Sequence, residues 1–137
     1  MRLRWVADAA MDIPAGGTNL SLVALEEPCA IRARAFDLLG ASGMVASVVA
    51  QSASLDGVLS AVRAGLGLAL LPIASDIPAG LRELSGLPPA GWIGVHLVSR
   101  TGLADTITHT AVTMLTSFLA ATTGLARTPV ISSSRIG

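Results

Sequence analysis

Between Gln51 and Pro72 the chain reads QSASLDGVLSAVRAGLGLALLP, with apolar Leu55, Val58, Leu59, Val62 and Leu66 at i, i+3, i+4, i+7 and i+11. That spacing predicts a helix lying with one stripe against a sheet. Ser52 or Ser54 stands where the helix needs a cap, and Gly65 and Gly67 offer φ > 0 positions at which the chain leaves it. Leu68 to Leu71 is apolar on both faces, as in a covered parallel strand, and Pro72 is expected to end it. The same reading gives strands at 3–7, 20–25 and 45–50, a short edge strand at 81–84 and a last strand at 93–99. A first helix is expected over 29–39, with Ile31, Ala35, Leu38 and Leu39 inward, Arg32 and Arg34 in water and Gly40 closing it. A final helix over 105–121 carries Ile107, Ala111, Met114, Leu115 and Phe118 on one stripe, its threonines mostly elsewhere. Residues 12–19 read as a turn-rich loop, and 122–137, without periodicity, as a mobile tail. Strands alternating with helices imply an α/β fold with a mainly parallel sheet, in which ligands sit beyond the carboxyl ends of the strands.

Composition narrows the class. A chain of 137 residues is about one domain long and can bury roughly two thirds of its unfolded surface. It is 52% hydrophobic and 13% charged, so a large core is available, while a surface poor in charge suggests apolar area covered by a partner. Nine basic and nine acidic residues cancel and no Lys or Arg block stands out, so the electrostatic footprint of a nucleic-acid-binding surface is missing. A lone cysteine, Cys29, excludes an internal disulfide framework and a Cys-rich zinc site, and a cytoplasmic setting is the default. The start MRLRWVADAAM lacks the apolar stretch of a signal peptide. The longest apolar run, 64–74, is about half of what a membrane-spanning helix needs. Neither export nor membrane insertion is expected.

The candidate ligand site is the loop Gln51, Ser52, Ala53, Ser54 at the start of the second helix. Unpaired N–H groups and the positive end of the helix dipole favour a carboxylate or phosphate there, and two hydroxyls can add hydrogen bonds. The bland reading is that a serine merely caps the helix. Arg32 could reach an anion, although an arginine in the middle of an exposed helical face is usually solvated. A thiol enzyme built from Cys29 with His96 or His109 would need an orienting group and an oxyanion site that nothing in the sequence announces. The two histidines lie in different elements without carboxylates at ligand spacing, so no metal is expected. Gly65-Leu66-Gly67 follows a helix and opens a strand, the reverse of a dinucleotide fingerprint, and Gly40-Ala41-Ser42-Gly43 lacks the spacing of a nucleophile elbow. No cofactor and no enzymatic activity are expected.

The segment SLDGVLSAVRAGLGLALLP resembles the effector-binding domain of the LysR-type transcriptional regulators, in which a helix, an "aGxGxaxLP" turn and a strand follow one another. The resemblance extends through LRWVAD (3–8), LSLVALEEPCAIRARAFDLL (20–39), SVVAQS (47–52), GLRELSGLPP (80–89) and IGVHLVSR (93–100), covering roughly residues 3 to 120. Its weight lies in the order and spacing of several moderate motifs. It implies a periplasmic-binding-protein type II-like effector domain, whose two α/β lobes are joined by two crossing strands and hold a small organic effector in the cleft between them. Residues 3–7 and 93–99 then match the crossing strands, about 8–90 the second lobe, and about 100–121 the returning part of the first. Within 1–122 the domain is thus partial, with 123–137 as a tail. Most of the first lobe, the winged helix-turn-helix and the linker helix have no counterpart here. By the same resemblance the 51–54 loop faces the cleft, and Glu27, Pro28 and Cys29 match a strand-to-helix turn near it. Pro28 and Cys29 thus join the candidate site, although a free cysteine is commonly a small buried apolar side chain. The implied function is ligand sensing in a LysR-like transcription factor acting as a homodimer, without nucleic-acid contact by this chain. A lobe of a solute-binding protein of the same fold is the alternative.

Overall fold

The computed structural model describes residues 1–13, 19–74, 76–94, 97–100, 105–123 and 133–136. They fall into two compact units, Arg2–Gly91 and Met1 with Trp92–Gly137.

The larger unit contains strands β1 (Arg2–Asp8), β2 (Asn19–Leu25), β3 (Val45–Ser52), β4 (Ala69–Ile73) and β5 (Leu81–Glu83), with helices α1 (Ala30–Ala41) between β2 and β3 and α2 (Leu55–Arg63) between β3 and β4. β2 and β3 pair in parallel, with Leu25 opposite Ser52, and the register slips once, between Leu22 and Val23, leaving Val49 of β3 without a partner position. β1 lies between β4 and β5 and is antiparallel to both. A single parallel bridge, Leu22 to Leu68, connects β2 to the start of β4. The sheet structure is therefore mixed, where the alternation of elements suggested a mainly parallel one. Within this unit the helical crossover α1 joins the parallel strands β2 and β3, as parallel pairing requires, whereas β1 pairs antiparallel with β4 and β5, which lie far along the chain.

Burial follows the hydrophobic pattern. Val58 and Val62 of α2 pack with Val6, Val23, Ala69, Leu71, Ile73 and Leu81 into one buried cluster. Each of its Val, Leu and Ile side chains contributes about 1.5–3 kcal/mol when taken from water. Ala35 and Leu39 are the buried residues of α1, whereas Leu55 and Leu66, at the ends of the α2 stripe, are exposed. Both helices end alike. Gly43 N–H donates to Gly40 O and Met44 N–H to Leu39 O, while Gly65 N–H donates to Val62 O and Leu66 N–H to Ala61 O. These are the paired bonds of a Schellman turn, with Gly43 (φ +72) and Gly65 (φ +74) in the left-handed position that it requires. Gly40 is thus inside α1 and does not close it. Gly67 is not left-handed either. Its role is close approach, because a Cβ there would collide with the Ser21 carbonyl oxygen. Pro72 lies within β4 opposite Leu3 and does not end it. Leu3 donates its N–H to Gly91 O and not to β4, so its pair with Pro72 is one without ladder hydrogen bonds and the missing N–H interrupts none.

In the smaller unit β6 (Leu97–Arg100) and β7 (Ser133–Ile136) pair in parallel, with α3 (Asp105–Thr123) between them in sequence. The strand expected over 93–99 begins at Leu97, is not the last, and its Val95 and His96 lie outside the described residues. β7 falls within the segment expected to be a tail. Thr110, Thr113 and Thr116 turn their hydroxyls back onto the carbonyls of Thr106, His109 and Val112. Ile107 and Met114 are exposed. The side chain of Phe118, like residues 14–18 of the expected loop, lies outside the described residues. Among the described residues no helix is long and apolar enough to cross a membrane.

Candidate functional site

Two strand-to-helix turns lie side by side at the carboxyl ends of β2 and β3. The link is a hydrogen bond from Glu26 N–H to Ser52 O at 3.0 Å, one residue past the last parallel pair, Leu25 and Ser52. Every site residue named from sequence lies on one of these turns or on the strand end leading into it. Gln51 and Ser52 are the last residues of β3, paired with Ala24 and Leu25, and only Ala53 and Ser54 belong to the turn. The strand extends past Ala50 because β2 offers it a partner up to Leu25, which alternation within β3 alone does not reveal.

The serines divide the capping work. Ser54 is the N-cap of α2, its Oγ accepting from Gly57 N–H at 3.2 Å, and Ser52 Oγ accepts from Ser54 N–H at 3.2 Å. A Cβ at position 57 would collide with Ser52 Oγ, so glycine there lets the hydroxyl lie over the first turn. Asp56 adds a negative charge to that turn, which favours the dipole but competes with an incoming anion. At the neighbouring turn Cys29 is the N-cap of α1 and makes no side-chain capping bond. Its thiol is half-buried. Pro28 is exposed.

Arg32 overturns its expected place in water. Its side chain is only 16% exposed, and Nη1 donates to Gln51 Oε1 at 3.0 Å and to Leu25 O at 3.4 Å. Nε lies 3.4 Å from Glu27 Oε1 without completing a hydrogen bond. The guanidinium therefore ties the end of β2, the end of β3 and the first turn of α1 together. Helical periodicity put this side chain on an outer face. What it could not supply is that the face looks onto the end of β3, nineteen positions further along the chain at Gln51. Beneath the cluster, between α1 and the strands, a space of about 10 Å³ lined by Leu22, Ala24, Cys29, Ile31, Arg32 and Ala35 has room for about one water.

The catalytic alternatives gain no geometry. His109 is exposed on α3, His96 lies outside the described residues, and among the described residues no three His, Cys, Asp or Glu side chains are grouped to hold a metal ion.

No protein-family model matches the chain, and no curated protein matches it. Among solved structures it is similar to HinK, a LysR family transcriptional regulator from Pseudomonas aeruginosa, at 19% identity and a TM-score of 0.45, over 64% of this chain and 34% of that one. It is also similar to a protein from the same organism described as a LysR family transcriptional regulator, at 19% identity and a TM-score of 0.43, over 61% of this chain and 33% of that one. The chain spans about a third of the length of each of these two regulators.

Proposed function

We propose that this chain is a partial effector-binding domain of a LysR-like transcription factor of the periplasmic-binding-protein type II kind, which senses a small organic carboxylate. The observation that carries the reading is the juxtaposition of the two strand-to-helix turns at the carboxyl ends of a parallel pair, fixed by the Glu26 to Ser52 hydrogen bond. This is where open α/β sheets take ligands, and the residues on both turns belong to the motifs that resemble the family. In this reading Gln51, Ser52, Ala53, Ser54, Pro28 and Cys29 form one wall of the effector cleft. Effector binding changes the angle between lobes and so repositions DNA-binding domains carried outside this chain. The working form is a cytoplasmic homodimer, with no direct nucleic-acid contact by these residues and no catalysis.

Native mass spectrometry of the chain taken from fresh extract, without stripping small molecules, tests the reading. The expected result is added mass from a small organic acid. Replacing Ser52 and Ser54 together by alanine should reduce occupancy about tenfold, the loss of one hydrogen bond to a charged group, with a stability loss of about 1–2 kcal/mol from the missing caps. A ligand-free chain, or unchanged occupancy with lowered stability, would leave the serines as caps alone.

A further inference from the structure

Arg32 carries more hydrogen-bonding capacity than its surroundings use. Nη1 is occupied by Gln51 Oε1 and Leu25 O, whereas Nε is buried with no hydrogen-bond partner. The carboxylate beside it, Glu27, is 74% exposed, and an ion pair with so wet a partner is weak. Arg4 offers a comparison inside the same unit, because its Nε is also buried without a partner. There, however, Nη1 completes a 3.2 Å bond to Glu83, which is 39% exposed and also lies 4.0 Å from Arg2. Arg4 thus has a carboxylate held by two arginines on a central strand. Arg32 has one that can swing into solvent, at the end of the sheet where two turns meet. We infer that Arg32 is the carboxylate-recognition residue of this rim and that Glu27 is its internal stand-in, displaced when a small-molecule carboxylate binds. The inference rests on the function proposed above and adds the recognition chemistry. A guanidinium presents a planar fork that matches a carboxylate in bidentate fashion. Gln51 holds one arm of the fork, so the plane is set before a ligand arrives.

The test is an NMR titration of the full chain with sodium benzoate at constant ionic strength, with benzamide as the uncharged control, read at the Arg32 Nε–H and at the amides of Ser54, Leu55 and Asp56. Benzoate, and not benzamide, should shift the Arg32 Nε–H saturably. Glu27→Gln, at an exposed position that leaves the fold intact, should tighten binding by up to about fivefold, the most that an exposed ion pair opposes. Arg32→Lys keeps the charge without the fork and should weaken binding about tenfold. Should the Arg32 Nε–H stay still while the Ser54 to Asp56 amides move, or Glu27→Gln leave the affinity unchanged, this inference falls and the ligand site stands. If benzoate moves neither set, both fall.

Discussion

Gly67 has no room for a side chain, because the atom that a Cβ would strike is the Ser21 carbonyl oxygen, part of a backbone that cannot rotate away. At this point Leu68 N–H donates to Ser21 O at 2.9 Å and Val23 N–H to Leu68 O at 2.8 Å, the bonds that join β2 to β4. Gly67→Ala should therefore cost about 3 kcal/mol or more, combining overpacking with weakened hydrogen bonds. Gly65 faces a different demand. A Cβ there would meet nothing within 4 Å, but φ is +74, so Gly65→Ala should cost only the left-handed backbone penalty, about 1–2 kcal/mol. Gly40 has neither constraint, as it lies inside α1 with nothing within 4 Å, and Gly40→Ala should stabilise by about 0.5–1 kcal/mol. Urea denaturation of the three variants gives the order directly. A Gly67→Ala as mild as Gly65→Ala would mean that the close approach to Ser21 does not hold β2 and β4 together.

The helices show what a periodic pattern conveys and what it omits. Leu39 of α1 and Leu66 after α2 both belong to predicted apolar segments, yet Leu39 is fully buried and Leu66 is exposed. Leu39→Ala should cost about 3 kcal/mol, whereas Leu66→Ala should cost less than about 1 kcal/mol, a difference that thermal unfolding of the two variants resolves. The centre of the α2 stripe was legible because Val58 and Val62 repeat every four residues. Its end was not, because the stop at Arg63 is set by the Schellman bonds around Gly65, and the sequence offers two glycines for that role. The β1, β2 and β5 positions follow from short apolar runs between turns. Their directions do not, since whether β1 lies parallel or antiparallel to β4 depends on contacts about seventy positions apart. The site divides in the same way. The Ser54 cap was legible as a local signal, whereas the burial of Arg32 depends on Gln51, nineteen positions away, on a strand end that no helical wheel of α1 contains.

At the scale of the whole molecule, the core residues from Leu3 to Ala90 all lie within the unit Arg2–Gly91, and so do Glu27, Arg32, Gln51, Ser52 and Ser54. A chain ending at Gly91 thus keeps both helices, five strands and the complete rim, in a length at which independent domains are common. It should unfold in one cooperative transition and reproduce the amide spectrum of residues 2–91. The longer chain adds α3, with Ile107 and Met114 exposed, to a protein of zero formal net charge, which offers little repulsion between copies. Sedimentation velocity over a concentration series should therefore find the full chain self-associating more strongly than the chain ending at Gly91. Equal association would place the sticky surface on the larger unit, where Val45 and Val49 are exposed on β3, a strand that is paired on one side alone among the described residues. A truncated chain that fails to fold would show that the larger unit depends on residues beyond Gly91 for stability.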